Sequence, residues 1–187
     1  MQLLVSAATE ALRLAGAGRG APGAAAAPPP PPPGPSRPLR AGDVAGVLRA
    51  IRADYRDRAY FVTGAISDAI YDEDCYFADP TISFTGRELW KRNLALLVPF
   101  LEDPSIELHS LRRVPGEGRG AGAVLLAAWT LRSGLRLPWR PFVEVEGTTE
   151  YTLAWPGNNR VVRHVEGWDI DGLQALALIF TPGGGRR

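Results

Sequence analysis

The residues best spaced to do chemistry lie near the C-terminus, in the stretch VVRHVEGWDI at 161–170. Side chains two apart on a β-strand share a face, so Val162, His164, Glu166 and Trp168 would line one side and Val161, Arg163 and Val165 the other. His164 and Glu166 would then stand about 6 to 7 Å apart along the strand, close enough to flank one ligand. An imidazole and a carboxylate so placed are the pair needed to lift a proton and return it elsewhere, with Glu166 as base and His164 as partner acid. The plainer arrangement, and the one the alternation favours, turns Val161 and Val165 to the core. It leaves His164 and Glu166 in solvent or at a contact with a second copy.

Other reactive types are present in patterns that point to less. Tyr71, Asp72, Glu73 and Asp74 form an acidic cluster, the composition of a solvated helix end rather than a cation site. His109 and His164 have no cysteine or paired carboxylate at zinc spacing. The glycine-rich run Pro115 to Gly122 lacks the Lys-Ser/Thr of a phosphate loop. The sequence therefore predicts no metal and no cofactor. Cys75 is the only cysteine; it forms no internal disulfide, and on an expected strand it is a small core residue rather than a nucleophile. Trp139 and Arg140 stand between Pro138 and Pro141 in a stiff crossover, where the indole either covers the end of the sheet or is presented to a partner. Twenty-one basic residues against twenty acidic ones leave no field for nucleic acid. The longest apolar run, Ala121 to Trp129, is about half of what a membrane-spanning helix requires.

These residues need elements to position them. Asp43 is an N-cap for a helix with Val44, Val47, Leu48, Ile51 and Tyr55 along one stripe. A weaker helical segment follows from Tyr60 to Tyr71, interrupted at Gly64. Tyr71 to Glu88 is the hinge of the chain: Cys75 and Phe77 read as a half-buried strand, Pro80 closes it, and Thr85 with Glu88 has the spacing of a capping box. A third helix carries Trp90, Leu94, Leu97 and Leu101 and ends at Pro99 and Pro104. Four strands then follow: one around Ile106, Leu108 and Ser110, one from Ala121 to Leu135, one from Phe142 to Trp155, and one from Arg160 to Asp169. A turn at Pro156 to Asn158 joins the last two. Asp171 and Gln174 cap a short helix with Leu173, Leu176, Ala177 and Phe180. Helices first and a strand meander after predict an α+β domain over 43–183, its N-terminal helices covering a curved antiparallel sheet.

Residues 1–40 differ in kind. They hold ten Ala, nine Pro, arginines at 13, 19, 37 and 40, and Glu10 as the single acid. The run Pro28 to Pro33 fits a polyproline spacer, and Val5 to Leu14 can form a short amphipathic helix ahead of it. An arginine-bearing, nearly acid-free N-terminus of this kind has the composition of an organelle transit peptide, with processing near Arg40.

The order of elements, with IYDEDCYFADP between helices and VVRHVEGWDI at the end, resembles the cone-shaped fold of the nuclear transport factor 2-like superfamily, which includes the SnoaL-like proteins. More narrowly, FVTGAISDAIYDEDCYFADPTISFTG, WKRNLALLVPFLEDPSIEL and LRLPWRPFVEVEGTTEY resemble a plastid family of plants and algae known as domain of unknown function 2358. The superfamily resemblance implies a pocket between helices and concave sheet, with Phe77, Trp129, Trp168 and Tyr60 as its lining, and often a homodimer. It covers isomerases, dehydratases, epoxide hydrolases and non-catalytic binding proteins, so fold alone leaves function open. The narrower family implies the chloroplast, and its occurrence joined to haem-binding modules of the SOUL type suggests a tetrapyrrole. The favoured reading from sequence is non-catalytic binding of an apolar small molecule or a protein partner. The alternatives are a cofactor-free lyase or isomerase using Glu166 and His164, and a dimeric interaction scaffold.

Overall fold

A computed structural model describes residues 43–57, 59–114, 122–154 and 159–182. The N-terminal extension 1–40, the glycine-rich residues 115–121, Trp155 and the turn at Pro156 to Asn158 lie outside the described residues, as does the end of the expected domain at 183. Helix α1 (Val44–Arg56) begins at Asp43, whose carboxylate accepts the Gly46 N–H at 2.7 Å and so satisfies an orphan amide of the first turn. It buries Val47, Ile51 and Tyr55, the stripe its spacing requires.

The second helix is much shorter than its sequence suggests. Only α2 (Tyr60–Thr63) and a 3-10 turn (Asp68–Ile70) form. Gly64 stops α2 in the left-handed region at φ 73, where a side chain would be strained. The Asp54 carboxylate then takes the Ser67 N–H at 3.1 Å and its hydroxyl at 2.7 Å, which holds the connection against α1 instead of letting it coil.

Strand β1 (Tyr71–Ala78) turns into β2 (Ser83–Thr85) around Asp79, whose Oδ1 accepts from the Thr81 N–H, the Thr81 hydroxyl and the Ile82 N–H at 2.7, 2.6 and 2.9 Å. Helix α3 (Arg87–Leu97) follows, but Thr85 does not cap it. Thr85 is held in β2 opposite Tyr76, the N-cap is Gly86, and no side chain bonds the first turn. Gly86 makes the corner at φ 115 while its N–H bonds the Cys75 carbonyl. The helix buries Trp90 and Leu94, but Leu97 is exposed and Leu101 already belongs to the next strand, with Pro104 inside that strand.

Strands β3 (Leu101–Val114), β4 (Val124–Leu135), β5 (Phe142–Leu153) and β6 (Val161–Trp168) form the expected antiparallel meander. The sheet does not stop there. β6 also pairs in parallel with β1, giving six strands in the order β2-β1-β6-β5-β4-β3. Helix α4 (Gly172–Phe180) starts with the capping box that Asp171 and Gln174 predict. The architecture is α+β, with a curved sheet whose inner face packs against α1, α2 and α3. Among the described residues no helix is long and apolar enough to cross a membrane.

Candidate functional site

Pairing places the inward side chains in three rows, because residues directly opposite across strands share a face. Phe77, His164, Tyr151 and Leu125 form the first row, and Glu166, Thr149, Ala127 and Leu111 the second. Trp168, Gly147, Trp129 and Leu108 form the third. The middle row is flanked by rings, yet it carries the polar Glu166 and Thr149 and the small Ala127 before it ends at Leu111. Into it reach Tyr55 from α1 and Tyr60 from α2.

At the centre of this arrangement is the Glu166 carboxylate, in a residue only 6% exposed. His164 Nε2 donates to Glu166 Oε1 at 3.1 Å, Tyr60 OH donates to the same oxygen at 3.3 Å, and Trp168 Nε1 donates to Oε2 at 3.3 Å. The dyad is thus in direct contact rather than flanking a ligand-sized gap. It is also inside. The expectation that Val161 and Val165 would turn His164 and Glu166 out to solvent is overturned, since His164 is 0% exposed. The reason is a bulge. Thr152 pairs with Arg163 but Leu153 pairs with Val161, so Val162 is an extra residue and the alternation slips by one. Val161, His164 and Glu166 all become buried, while Arg163 faces outward and pairs with Glu150 at 3.2 Å.

Rings enclose the imidazole. The centroids of Trp90, Tyr151 and Phe77 lie 4.7, 4.8 and 4.9 Å from that of His164. Nδ1 of His164 is buried without a hydrogen-bond partner. Phe77 in turn stacks on Phe84 and Trp90. Of the four residues expected to line a pocket, Tyr60 and Trp168 touch the carboxylate and Phe77 touches the imidazole. Trp129 touches neither: its Nε1 donates to Thr149 Oγ1 at 2.8 Å, and Tyr55 OH bridges Thr149 Oγ1 and Tyr151 OH at 3.1 Å each. Tyr55 meets Tyr60 edge to face, with ring centroids 5.2 Å apart. Two hydrogen-bonded groups therefore lie side by side, one joining Trp129, Thr149, Tyr55 and Tyr151 and the other joining Tyr60, His164 and Trp168 to Glu166.

Burial raises the pKa of Tyr55, Tyr60, Tyr71 and Tyr151 above that of an ordinary phenol, and nearby acidic groups, Glu166 among them for the first three, push the same way. All four are protonated donors at neutral pH. Burial likewise pushes the Cys75 thiol up to about 12, with the Asp72 charge adding to it, so Cys75 is a thiol and not a nucleophile. Burial raises the Asp79 carboxyl as well, against the lowering effect of its Thr81 and Ile82 bonds.

Sequence reasoning does not single out Tyr55, Tyr151, Thr149 or Trp90 as members of the site. Tyr55 and Trp90 are legible only as parts of apolar stripes, and Thr149 and Tyr151 become relevant through a register that no local pattern announces. Among the described residues no group of three or more His, Cys, Asp or Glu side chains is placed to hold a metal ion. Trp139 packs on Phe180 with centroids 6.3 Å apart and donates its Nε1 to the Ile179 carbonyl at 2.7 Å, so it fastens α4 to the end of the sheet.

A polar centre on the inner face of a curved sheet, roofed by N-terminal helices, is the layout of the nuclear transport factor 2-like fold, which SnoaL-like and ketosteroid isomerase-like proteins share. Residues 45–164 match the family described as uncharacterized conserved protein (DUF2358), and the chain belongs to that family. No curated protein matches it significantly. A candidate SnoaL-like polyketide cyclase from Jannaschia sp. CCS1 is similar with a TM-score of 0.53 and 13% identity, over 81% of this chain and 98% of that one. TsrD from Streptomyces laurentii gives 0.53 at 16% identity, over 71% and 95%. A protein of ketosteroid isomerase-like fold from Catenulispora acidiphila DSM 44928, in complex with trimethylamine, gives 0.50 at 12% identity, over 75% and 97%. At such identities the likeness is one of fold.

Proposed function

We propose that this domain carries out proton transfer on a flat, largely apolar small molecule, as a lyase or isomerase that works without a cofactor. The observation that carries this reading is the convergence of His164, Tyr60 and Trp168 on one buried carboxylate. A carboxylate accepts about four hydrogen bonds. Oε1 of Glu166 takes two, while Oε2 takes one, from the half-buried Trp168, and so has capacity left to accept a substrate proton. Trp168 is the half-buried, solvent-facing side of the site. With Trp168 swung aside, Oε2 would take a proton from one atom of a molecule lying against the rings and return it to another atom of that molecule, while His164 and Tyr60 hold the other oxygen.

The second reading is binding without turnover, and the ring contacts around His164 favour it because they leave the dyad closely packed. In that case the same face takes an apolar ligand, a tetrapyrrole being the one the family resemblance suggests, and Glu166 orients its polar end. A homodimer formed through the outer face of the sheet belongs with the scaffold alternative. That face carries Arg132 with Glu144 and Arg163 with Glu150, ion pairs suited to solvent or to a polar contact.

The composition of residues 1–40 and the plastid family resemblance support a transit peptide there, a mature domain over 43–183, and a chloroplast location. Fusing residues 1–42 to a fluorescent protein and imaging its import tests this placement.

Glu166→Gln separates the two chemical readings, because the amide keeps the shape but cannot serve as the base. Flat apolar metabolites, protoporphyrin among them, are titrated against tryptophan fluorescence, and proton exchange into each bound compound is followed by NMR. A proton-transfer protein loses exchange in the Gln variant and keeps binding. If exchange is never detected and the variant alters ligand preference alone, binding without turnover is the function.

A further inference from the structure

Arg49, Arg52 and Arg56 project from one exposed stripe of α1, at spacings of three and four. Arg49 has a counter-charge, the Asp43 carboxylate at 3.7 Å. Among the described residues no carboxylate lies within ion-pair distance of Arg52 or Arg56, and two like charges one turn apart repel. Both overhang β3, the edge strand of the sheet, where pairing with β4 slips between Leu108 and Ser110. Arg52, Arg56, Leu108, His109, Ser110 and Leu111 together line an open groove of 360 Å³.

The groove is partly organised. Arg52 Nη2 donates to the Leu111 carbonyl at 3.5 Å, which draws the guanidinium across to β3 and leaves its other N–H groups uncommitted. His109 Nε2 is engaged with the Thr130 hydroxyl at 2.7 Å, and its Nδ1 lies 3.9 Å from Glu107. Glu107 in turn lies 3.8 Å from Arg132. Two guanidinium forks and the Ser110 hydroxyl are left to meet a ligand.

We infer that this groove is an anion site that takes the phosphate group of a small molecule. A phosphate offers a separate pair of oxygens to each of two guanidinium forks at once, where a carboxylate has only one pair to present. The C-terminal end of α1 opposes an anion at its backbone, but that field dies away within the last turn. The arginine side chains carry their charge beyond it to the strand edge. The site is separate from Glu166, since β4 and β5 stand between β3 and β6.

Inorganic phosphate titrated into the full chain at constant ionic strength, with chloride as the control, tests the inference through arginine side-chain signals and the Ser110 and Leu111 amides by NMR. Phosphate is expected to give saturable shifts that chloride does not. Arg52→Gln and Arg56→Gln should each weaken binding at least about tenfold, since each removes a charge-assisted fork. Arg49→Gln should leave binding unchanged, because Asp43 already engages that charge. The inference is overturned if phosphate gives no saturable shift, if chloride gives the same one, or if Arg49→Gln weakens binding as much as Arg56→Gln does. All three positions are exposed, so these variants keep the fold.

Discussion

The indole of Trp129 lies across Gly147, so close that a β-carbon at Gly147 would sit 2.5 Å from Cη2 and Cζ2 of the ring. Gly147 stands between Trp129 and Trp168 in one cross-strand row, and the missing side chain is what lets the Trp129 ring lie over β5 with its Nε1 on Thr149. Gly147→Ala must displace a buried ring. The expected loss is about 1–3 kcal/mol, the usual range for overpacking a filled core. Urea unfolding measures it, and an unchanged midpoint would mean that the ring has room to move.

Tyr60 OH is one of the two donors to Glu166 Oε1. Tyr60→Phe leaves the ring in its edge contacts with Tyr55 and Trp90 but removes a bond to a buried charged group. A loss of about 1.5–3 kcal/mol is expected. Arg163→Ala removes an exposed ion pair on the other face of β6 and should cost less than about 1 kcal/mol. Equal losses from the two would show that the interior bond adds nothing beyond a surface contact.

Local spacing made the caps at Asp43 and Asp171 legible, because a cap is settled within four residues of sequence. The same spacing misleads at Thr85, where pairing with Tyr76 competes for the residue and wins. Period-two alternation correctly grouped His164 with Glu166 but assigned them to the wrong side, because the bulge at Val162 leaves no mark in the residue types. The parallel pairing of β1 with β6 is equally silent locally. It is nonetheless what brings Phe77 opposite His164. Tyr55 shows the limit most clearly: its stripe position says that it is buried, while its bonds to Thr149 and Tyr151 depend on residues 94 and 96 positions away.

The two capping expectations give a paired test. Asp171→Ala should cost about 1 kcal/mol, since Asp171 accepts the Gln174 N–H at 2.8 Å and its own N–H is bonded by the Gln174 side chain. Thr85→Ala should change stability by less than about half that, because no side chain caps α3. Thermal melts of both variants check the pair, and the reverse order would restore a capping role to Thr85.

Removing residues 1–40 tests whether the domain is confined to 43–183. The melting transition of the shortened chain should coincide with that of the full chain. Loss of cooperative unfolding would mean that the extension is part of the folded unit.

The buried tyrosines make the stability of the domain fall steeply in alkali. Tyr55, Tyr60, Tyr71 and Tyr151 have folded-state pKa values raised above that of an ordinary phenol, chiefly by burial. In the unfolded chain each reverts to about 10. As the pH rises, the unfolded chain loses these protons first, so the stabilising contribution is complete below about pH 10 and is lost above it. The expected slope is about 1.4 kcal/mol per pH unit for each tyrosine that ionises only after unfolding. In a Tyr76→Phe background, which removes the one surface tyrosine, phenolate absorbance should appear in a single step that coincides with loss of circular dichroism. Phenolate appearing well before the fold is lost would show that water and hydroxide reach the buried tyrosines in the native state. The site would then be open at rest, without any movement of Trp168.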